Sequence, residues 1–77
     1  MHRREQARFL LDVSWQPAAA LAAAQQNWQV QREPEDLLIL MRAAQAAREP
    51  QAAAPAREFL RQQKLQDVRL APYEVAQ

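Results

Sequence analysis

The chain has 77 residues and a formal net charge of +1, and it contains 17 Ala, 12 Gln and 9 Leu but no Gly, Cys or Thr. This length suits one small domain, and the charge is too small to steer the protein to nucleic acid or a membrane. Without Gly we expect no phosphate-cradling loop, and without Cys there is no disulfide, thiolate nucleophile or zinc–sulfur site. Ala, Leu and Gln favour helices, so the composition predicts an all-α fold over residues 1–77.

The basic start of the chain is not followed by an apolar segment, so we predict no signal peptide. The sequence also lacks an apolar run of about 18 residues, the length that a membrane-spanning helix requires. The default expectation is therefore a cytoplasmic protein without a membrane partner, although the compartment itself is not specified.

Five prolines, at positions 17, 34, 50, 55 and 72, predict the boundaries of four helices, because Pro is tolerated in a first helical turn and ends a preceding helix. Helix 1 is predicted over 3–12 and helix 2 over 17–31. Helix 3 is predicted from 34 or 35 to 47 or 48, and helix 4 over 52–64, with Pro55 delaying its regular part. We expect two antiparallel hairpins and a flexible tail over 71–77.

Apolar residues at helical spacing predict which side of each helix is buried. For helices 1 and 2 the predicted buried residues are Phe9, Leu10 and Val13, and then Ala18, Leu21, Ala22, Gln25 and Trp28. Helix 3 is expected to be central, since its stripe of Leu37, Leu40, Met41, Ala44 and Ala47 is widened by Leu38, Ile39, Ala43 and Ala46. Helix 4 is expected to bury Ala56, Phe59, Leu60 and Gln63, and the tail to fold back through Leu65, Val68 and Leu70. Because alanine buries little area, five aromatic residues are expected to supply much of the core, namely Phe9, Trp15, Trp28, Phe59 and Tyr73.

A faint internal repeat aligns Trp28 with Leu60 and Leu38 with Leu70, at an offset of 32 residues. Periods of this size are typical of helical-hairpin repeats. The motifs that carry a further likeness are Leu21-x-x-x-Gln25-x-x-Trp28, Gln31-Arg32-Glu33-Pro34, and Asp36-Leu37-Leu38 with Ala43-Ala44-x-Ala46-Ala47. Together they resemble the tetratricopeptide repeat (TPR), in its alanine-rich bacterial form, over about residues 17–70.

The resemblance implies a short solenoid of stacked hairpins. It implies that Pro34 is the closing proline and Leu40 the first large residue of the next unit. Ala44 would take the small position of the next first helix, and Ala53 or Ala56 that of its second helix. The sequence departs from the family where Ala44 replaces the usual glycine and Ala47 the usual tyrosine.

Two charged clusters are candidate sites. Glu33, Glu35 and Asp36 could hold a metal or act as acid and base, but they also occupy a helix start, where negative charge caps the helix. Arg57, Arg61 and Lys64 share one helix face and could contact phosphates, or they could form a solvated outer face. We favour the structural interpretation of both clusters. Because no nucleophile–base pair or metal set can be assembled, we expect neither an enzyme nor a bound cofactor.

The remaining candidates point to protein binding. Leu38, Arg42 and Gln45 lie on the side of helix 3 opposite its main stripe, and an apolar group, a cation and an amide suit an extended or helical peptide, although an ordinary surface is the alternative. Trp28 is predicted to lie in the core. Trp15 lies in a connector, where it either caps the end of the bundle or anchors a partner.

The function predicted from the sequence is a TPR-like scaffold or adaptor that binds a peptide or protein. The alternative is a structural one, in which the chain is the end cap of a longer helical-repeat protein, packed against further repeats, or a self-associating bundle. Helix 1 offers Phe9, Leu10, Leu11 and Val13, extended by Trp15, so we expect a homodimer through this helix.

Overall fold

The computed structural model describes residues 3–63, and over these residues the predicted all-α fold is confirmed. The helices are α1 (Arg3–Asp12), α2 (Pro17–Trp28), α3 (Pro34–Ala46) and α4 (Ala54–Gln63), with a short 3-10 helix at Pro50–Ala53 and no strand in this part of the chain. The predictions that concern the tail over 71–77, and those for Lys64, Leu65, Val68, Leu70 and Tyr73, lie outside the described residues.

Prolines begin the elements as the sequence predicts. Pro17, Pro34 and Pro50 are each the first residue of a helix, where the missing N–H needs no partner. Pro55 is the second residue of α4, so the prediction that the regular part of helix 4 begins late is confirmed. Helix α2 ends at Trp28, three residues earlier than predicted.

A residue in the left-handed region follows the end of both α1 and α3, and neither residue is glycine. Trp15 has φ 48° and Arg48 has φ 59°. After Arg48, the Glu49 N–H donates to the Ala44 carbonyl at 2.8 Å, while the Arg48 N–H donates to Gln45 at 3.0 Å. These bonds satisfy carbonyls that the helix end leaves open, and they offset the cost of about 1–3 kcal/mol for a left-handed residue with a Cβ atom.

The two hairpins share one plan, with equivalent positions 33 residues apart. This spacing separates the left-handed residues Trp15 and Arg48, and also the prolines that open the following helices, Pro17 and Pro50. The same spacing relates buried residues in matching places: Leu11 and Ala44, Ala20 and Ala53, Ala23 and Ala56. The offset of 32 predicted from the sequence is therefore one residue short.

Helix α3 is the central element, as predicted, because it packs against α1, α2, the 3-10 helix and α4. Four of the five residues of the predicted stripe are buried, namely Leu37, Leu40, Met41 and Ala44. Of the four residues expected to widen the stripe, Ile39 and Ala43 are buried. Ala47, Leu38 and Ala46 are half-buried. On α4, Ala56 and Leu60 are buried, Phe59 is half-buried and Gln63 is exposed.

The predicted buried faces of the first two helices are partly wrong. In α2, the predicted residues Ala18, Ala22 and Gln25 are exposed, and the buried alanines are Ala20, Ala23 and Ala24. Alanine lies on all sides of this helix, so its spacing does not distinguish one face from another. Phe9 on α1 and Val13 just after it are exposed, Leu10 is half-buried, and the buried residues of α1 are Ala7 and Leu11. Two of the five aromatics, Phe9 and Trp15, therefore contribute little to the core.

The directions of the helices follow from polar contacts between their ends. The Arg3 guanidinium donates a hydrogen bond to the Gln26 side chain at 3.2 Å, which joins the start of α1 to the end of α2 in an antiparallel hairpin. Helices α1 and α3 run parallel, because Arg4 contacts Asp36 near their starts while Asp12 contacts Arg42 further along.

Candidate interaction surface

The parallel pair α1 and α3 forms one face of the molecule, and ion pairs connect the two helices along it. From the start of α1 onward, Arg4 contacts Asp36 at 3.3 Å and Arg8 contacts Glu35 at 3.8 Å. Further along, Arg42 pairs with Asp12. Since each α1 residue lies one turn after the previous one, the charged side chains form a ridge that faces α3.

At one end of this face, which we name the closed end, a polar group is fully buried. The Asp36 side chain has no solvent exposure. Its Oδ1 accepts hydrogen bonds from the Asn27 amide at 2.7 Å and from Arg4 at 3.3 Å, and its Oδ2 accepts one from the Glu33 backbone N–H at 2.9 Å. One carboxylate thus holds the starts of α1 and α3 and the end of α2 together.

The capping interpretation of the acidic cluster is confirmed for Asp36, because its bond to the Glu33 N–H satisfies a donor at the start of α3. The alternative, a metal site or an acid–base pair, requires carboxylate oxygens that face a ligand. Both oxygens of Asp36 face protein donors, and residues 3–63 contain no group of three acidic, His or Cys side chains arranged to hold a metal.

The opposite end, which we name the open end, contains Arg42, Gln45 and Trp15, whereas Leu38 lies two residues after Asp36 and is therefore nearer the closed end. Gln45 is exposed, and Leu38 is half-buried against the core. Arg42 was expected to lie on a free surface, but its guanidinium pairs with Asp12 between α1 and α3. The contact with Asp12 brings the end of α1 to this part of α3, so the connector after α1 lies at the same end of the face as Gln45.

The two tryptophans differ sharply. Trp28 is 5% exposed, which confirms its predicted place in the core, and it contacts Phe59 edge to face with ring centroids 5.3 Å apart. The Arg32 guanidinium lies 5.0 Å from the centre of the Trp28 ring. Trp15 is 65% exposed, so the alternative in which it covers the end of the bundle is wrong.

The basic ridge on α4 is engaged with neighbouring groups. Arg57 donates to the Pro50 carbonyl at 3.1 Å, and Arg61 pairs with Glu58, whereas Lys64 lies outside the described residues. The hydrogen bond and the positive charge of Arg61 hold the pKa of Glu58 below its usual value of 4.5. These contacts favour a solvated outer face over a phosphate site.

One feature of this face was not predicted from the sequence. The buried contact of Arg4 and Asn27 with Asp36 joins residues that are distant in sequence, so no local pattern indicates it. The outer side of α1 has a shallow depression of about 280 Å³, lined by Glu5, Arg8, Phe9, Asp12 and Val13. Phe9 and Val13 belong to the apolar set of helix 1 that the sequence offered as a docking surface.

Within residues 3–63, every helix is too short or too polar to cross a bilayer. Comparisons of the chain with protein-family models, with curated proteins and with solved structures find no match.

Proposed function

We propose that this protein is an interaction module built from TPR-like helical hairpins, and that it binds a peptide or a protein on the face formed by α1 and α3. The observation that carries the proposal is the parallel arrangement of α1 and α3, which gives the first helices of two successive hairpins a common face. In helical-repeat proteins, extended surfaces of this kind are the ones that bind partners.

The matched hairpins support the proposal. Their equivalent residues recur at 33 positions, within the range of helical-hairpin repeats. Each hairpin has the same order of helix, left-handed residue, proline and second helix, so the stacking of one on the other is the kind of packing on which a solenoid depends.

The chemistry of the open end suits a peptide ligand. Arg42 offers a cation and Gln45 an amide that can donate and accept, and the exposed Trp15 lies at the same end. Leu38 adds an apolar contact one turn earlier on α3. Exposed tryptophans and arginines are enriched among residues that dominate binding energy. A ligand carboxylate that contacts Arg42 would share the guanidinium with Asp12, so we expect moderate affinity and ready release.

The test is capture of partners from the native host with the immobilised 77-residue chain, followed by binding measurements with each purified partner. Arg42→Glu should abolish capture, since it reverses the charge at the open end. Arg57→Glu is the matched control, because it makes the same change on α4 and should retain capture. Far-UV circular dichroism checks that both variants are folded. Capture that both variants retain equally, or capture of nothing by the native chain, would refute the proposal.

A further inference from the structure

The outer side of α1 exposes apolar side chains that nothing in the described part of the chain covers. The exposed large hydrophobic residues of residues 3–63 are Phe9, Val13, Trp15 and Val30, and three of these four lie on α1 or just after it. Phe9 and Val13 are one helical turn apart and line the depression on α1. Neighbouring exposed apolar side chains of this kind make the outer side of α1 a candidate binding surface.

We propose that a second copy of this chain docks here, with the two α1 helices antiparallel across a two-fold axis. The surface, which we name the outer α1 face, consists of Glu5, Arg8, Phe9, Asp12 and Val13. This inference does not require the proposed function, because self-association through Phe9 and Val13 needs no peptide ligand, although Arg8 and Asp12 border both surfaces.

The pattern of this face is complementary to itself. If the two-fold axis passes close to the middle of the interval between Phe9 and Val13, Phe9 lies against Val13 of the partner subunit. The same arrangement brings Arg8 near Asp12 of the partner subunit. Because a two-fold axis repeats every contact, both the apolar and the charged pair form twice.

The charged residues have room for these additional contacts. The Arg8 side chain is 47% exposed, and its contact with Glu35 is long at 3.8 Å. The Asp12 side chain is 43% exposed although it pairs with Arg42. A strongly acidic or strongly basic partner would favour charges of one sign, whereas this face alternates both signs around Phe9, which favours a second copy.

The size of the face sets the expected affinity. Helix α1 has 10 residues and is therefore about 15 Å long. Such a helix offers less than the roughly 800 Å² that each partner buries in a standard interface. We therefore expect a reversible dimer with a dissociation constant on the order of tens of micromolar.

Sedimentation equilibrium of the 77-residue chain over a range of concentrations tests the association. Phe9→Glu and Val13→Asp should each weaken the dimer by about tenfold or more, because an unpaired carboxylate would be buried. Both residues are exposed in the monomer, so far-UV circular dichroism should show both variants folded. Val30→Glu is the matched control: Val30 is 75% exposed but lies in the connector after α2, and the dimer should persist.

A charge swap tests the antiparallel arrangement itself. Arg8→Asp and Asp12→Arg should each weaken the dimer, and the double variant should restore it, because the pairs between subunits form again with opposite polarity. The contacts with Glu35 and Arg42 within one chain stay broken in the double variant, so recovery of the dimer cannot come from them. A chain that stays monomeric at about millimolar concentration, a dimer equally insensitive to Phe9→Glu and Val30→Glu, or a double variant no better than the singles would overturn the inference.

Discussion

The closed and open ends of the α1–α3 face contain similar residues in opposite environments. Trp28 near the closed end is 5% exposed, and Trp15 at the open end is 65% exposed. Both ends also have an ion pair between an arginine and an aspartate. Composition therefore does not distinguish the two ends. They differ in how many neighbouring groups each side chain contacts.

The two ion pairs show the same contrast. Asp36 is fully buried and accepts three hydrogen bonds, whereas Asp12 remains 43% exposed opposite Arg42. A buried carboxylate is costly unless every oxygen is bonded, so the closed end requires all of its partners together. An exposed pair loses little when one partner changes. We infer that the closed end contributes more to the stability of the fold than the open end.

Replacing the tryptophans should give the largest difference between the ends. Trp28→Ala should lower the free energy of unfolding by about 3–5 kcal/mol, since it removes a buried ring that contacts Phe59. Trp15→Ala should change it by no more than about 0.5 kcal/mol, as is usual at exposed positions. Urea unfolding followed by circular dichroism measures both. Equal losses for the two variants would mean that the ends are alike in packing.

The buried carboxylate should give the next largest effect. Asp36→Asn keeps the size of the side chain but turns an oxygen into a donor, so either the Glu33 N–H or the Asn27 amide faces another donor. We expect a loss of about 1–3 kcal/mol, the cost of an unsatisfied buried group.

Asp12→Asn is the matched substitution at the open end, and it should cost less than about 1 kcal/mol because water can solvate the amide. Thermal unfolding of both variants, compared at one pH, provides the measurement. A larger loss for Asp12→Asn than for Asp36→Asn would contradict the assignment of the closed and open ends.

The local features of this fold could be predicted from the sequence, and the long-range ones could not. The bounds of α1 are those predicted, and Pro17, Pro34 and Pro50 each begin a helix, because proline acts on its own neighbours. The central α3 was also predictable, since large apolar residues cover most of its circumference.

The orientation of α1 and α2 depends on contacts between distant residues. Arg4 and Asp36 are far apart in sequence, and in the fold Arg4 contacts Asp36 of α3 while Phe9 is exposed. In α2, the bond from Asn27 to Asp36 lies on the buried side, and the surrounding alanines give no competing signal. The contact of Arg42 with Asp12 also joins residues that are distant in sequence, so no local pattern indicates it. The sequence therefore predicted Arg42 as a surface residue.

A double-mutant cycle should show only weak coupling between Arg42 and Asp12 at the open end. Arg42→Ala and Asp12→Ala, alone and together, should give a coupling energy of about 0.2–1 kcal/mol, the range for exposed pairs. The coupling should decrease in high salt, which screens exposed charges. The corresponding cycle for Arg4 and Asp36 should give a larger coupling that depends less on salt. If both cycles respond equally to salt, the two pairs have the same solvent access.

The smallest effect on stability is expected at the exposed pair of Glu58 and Arg61 on α4. This pair gives a lower limit for the stability changes expected at the closed and open ends. Arg61 lowers the pKa of Glu58, so the charged carboxylate is favoured in the folded state. The resulting contribution to stability is present above the unfolded pKa and is lost as the pH falls through the lower, folded pKa.

Titration of the Glu58 carboxyl carbon by NMR measures this shift directly. Arg61→Ala should return the pKa of Glu58 towards its usual value of 4.5, because it removes the hydrogen bond and the charge that lower it. Arg57→Ala, which changes a neighbouring arginine that donates to Pro50, should leave the pKa of Glu58 lowered. Because the pair is exposed, the melting temperature of Arg61→Ala should hardly differ from that of the native chain at neutral pH. A pKa that Arg61→Ala does not raise would show that another group lowers it.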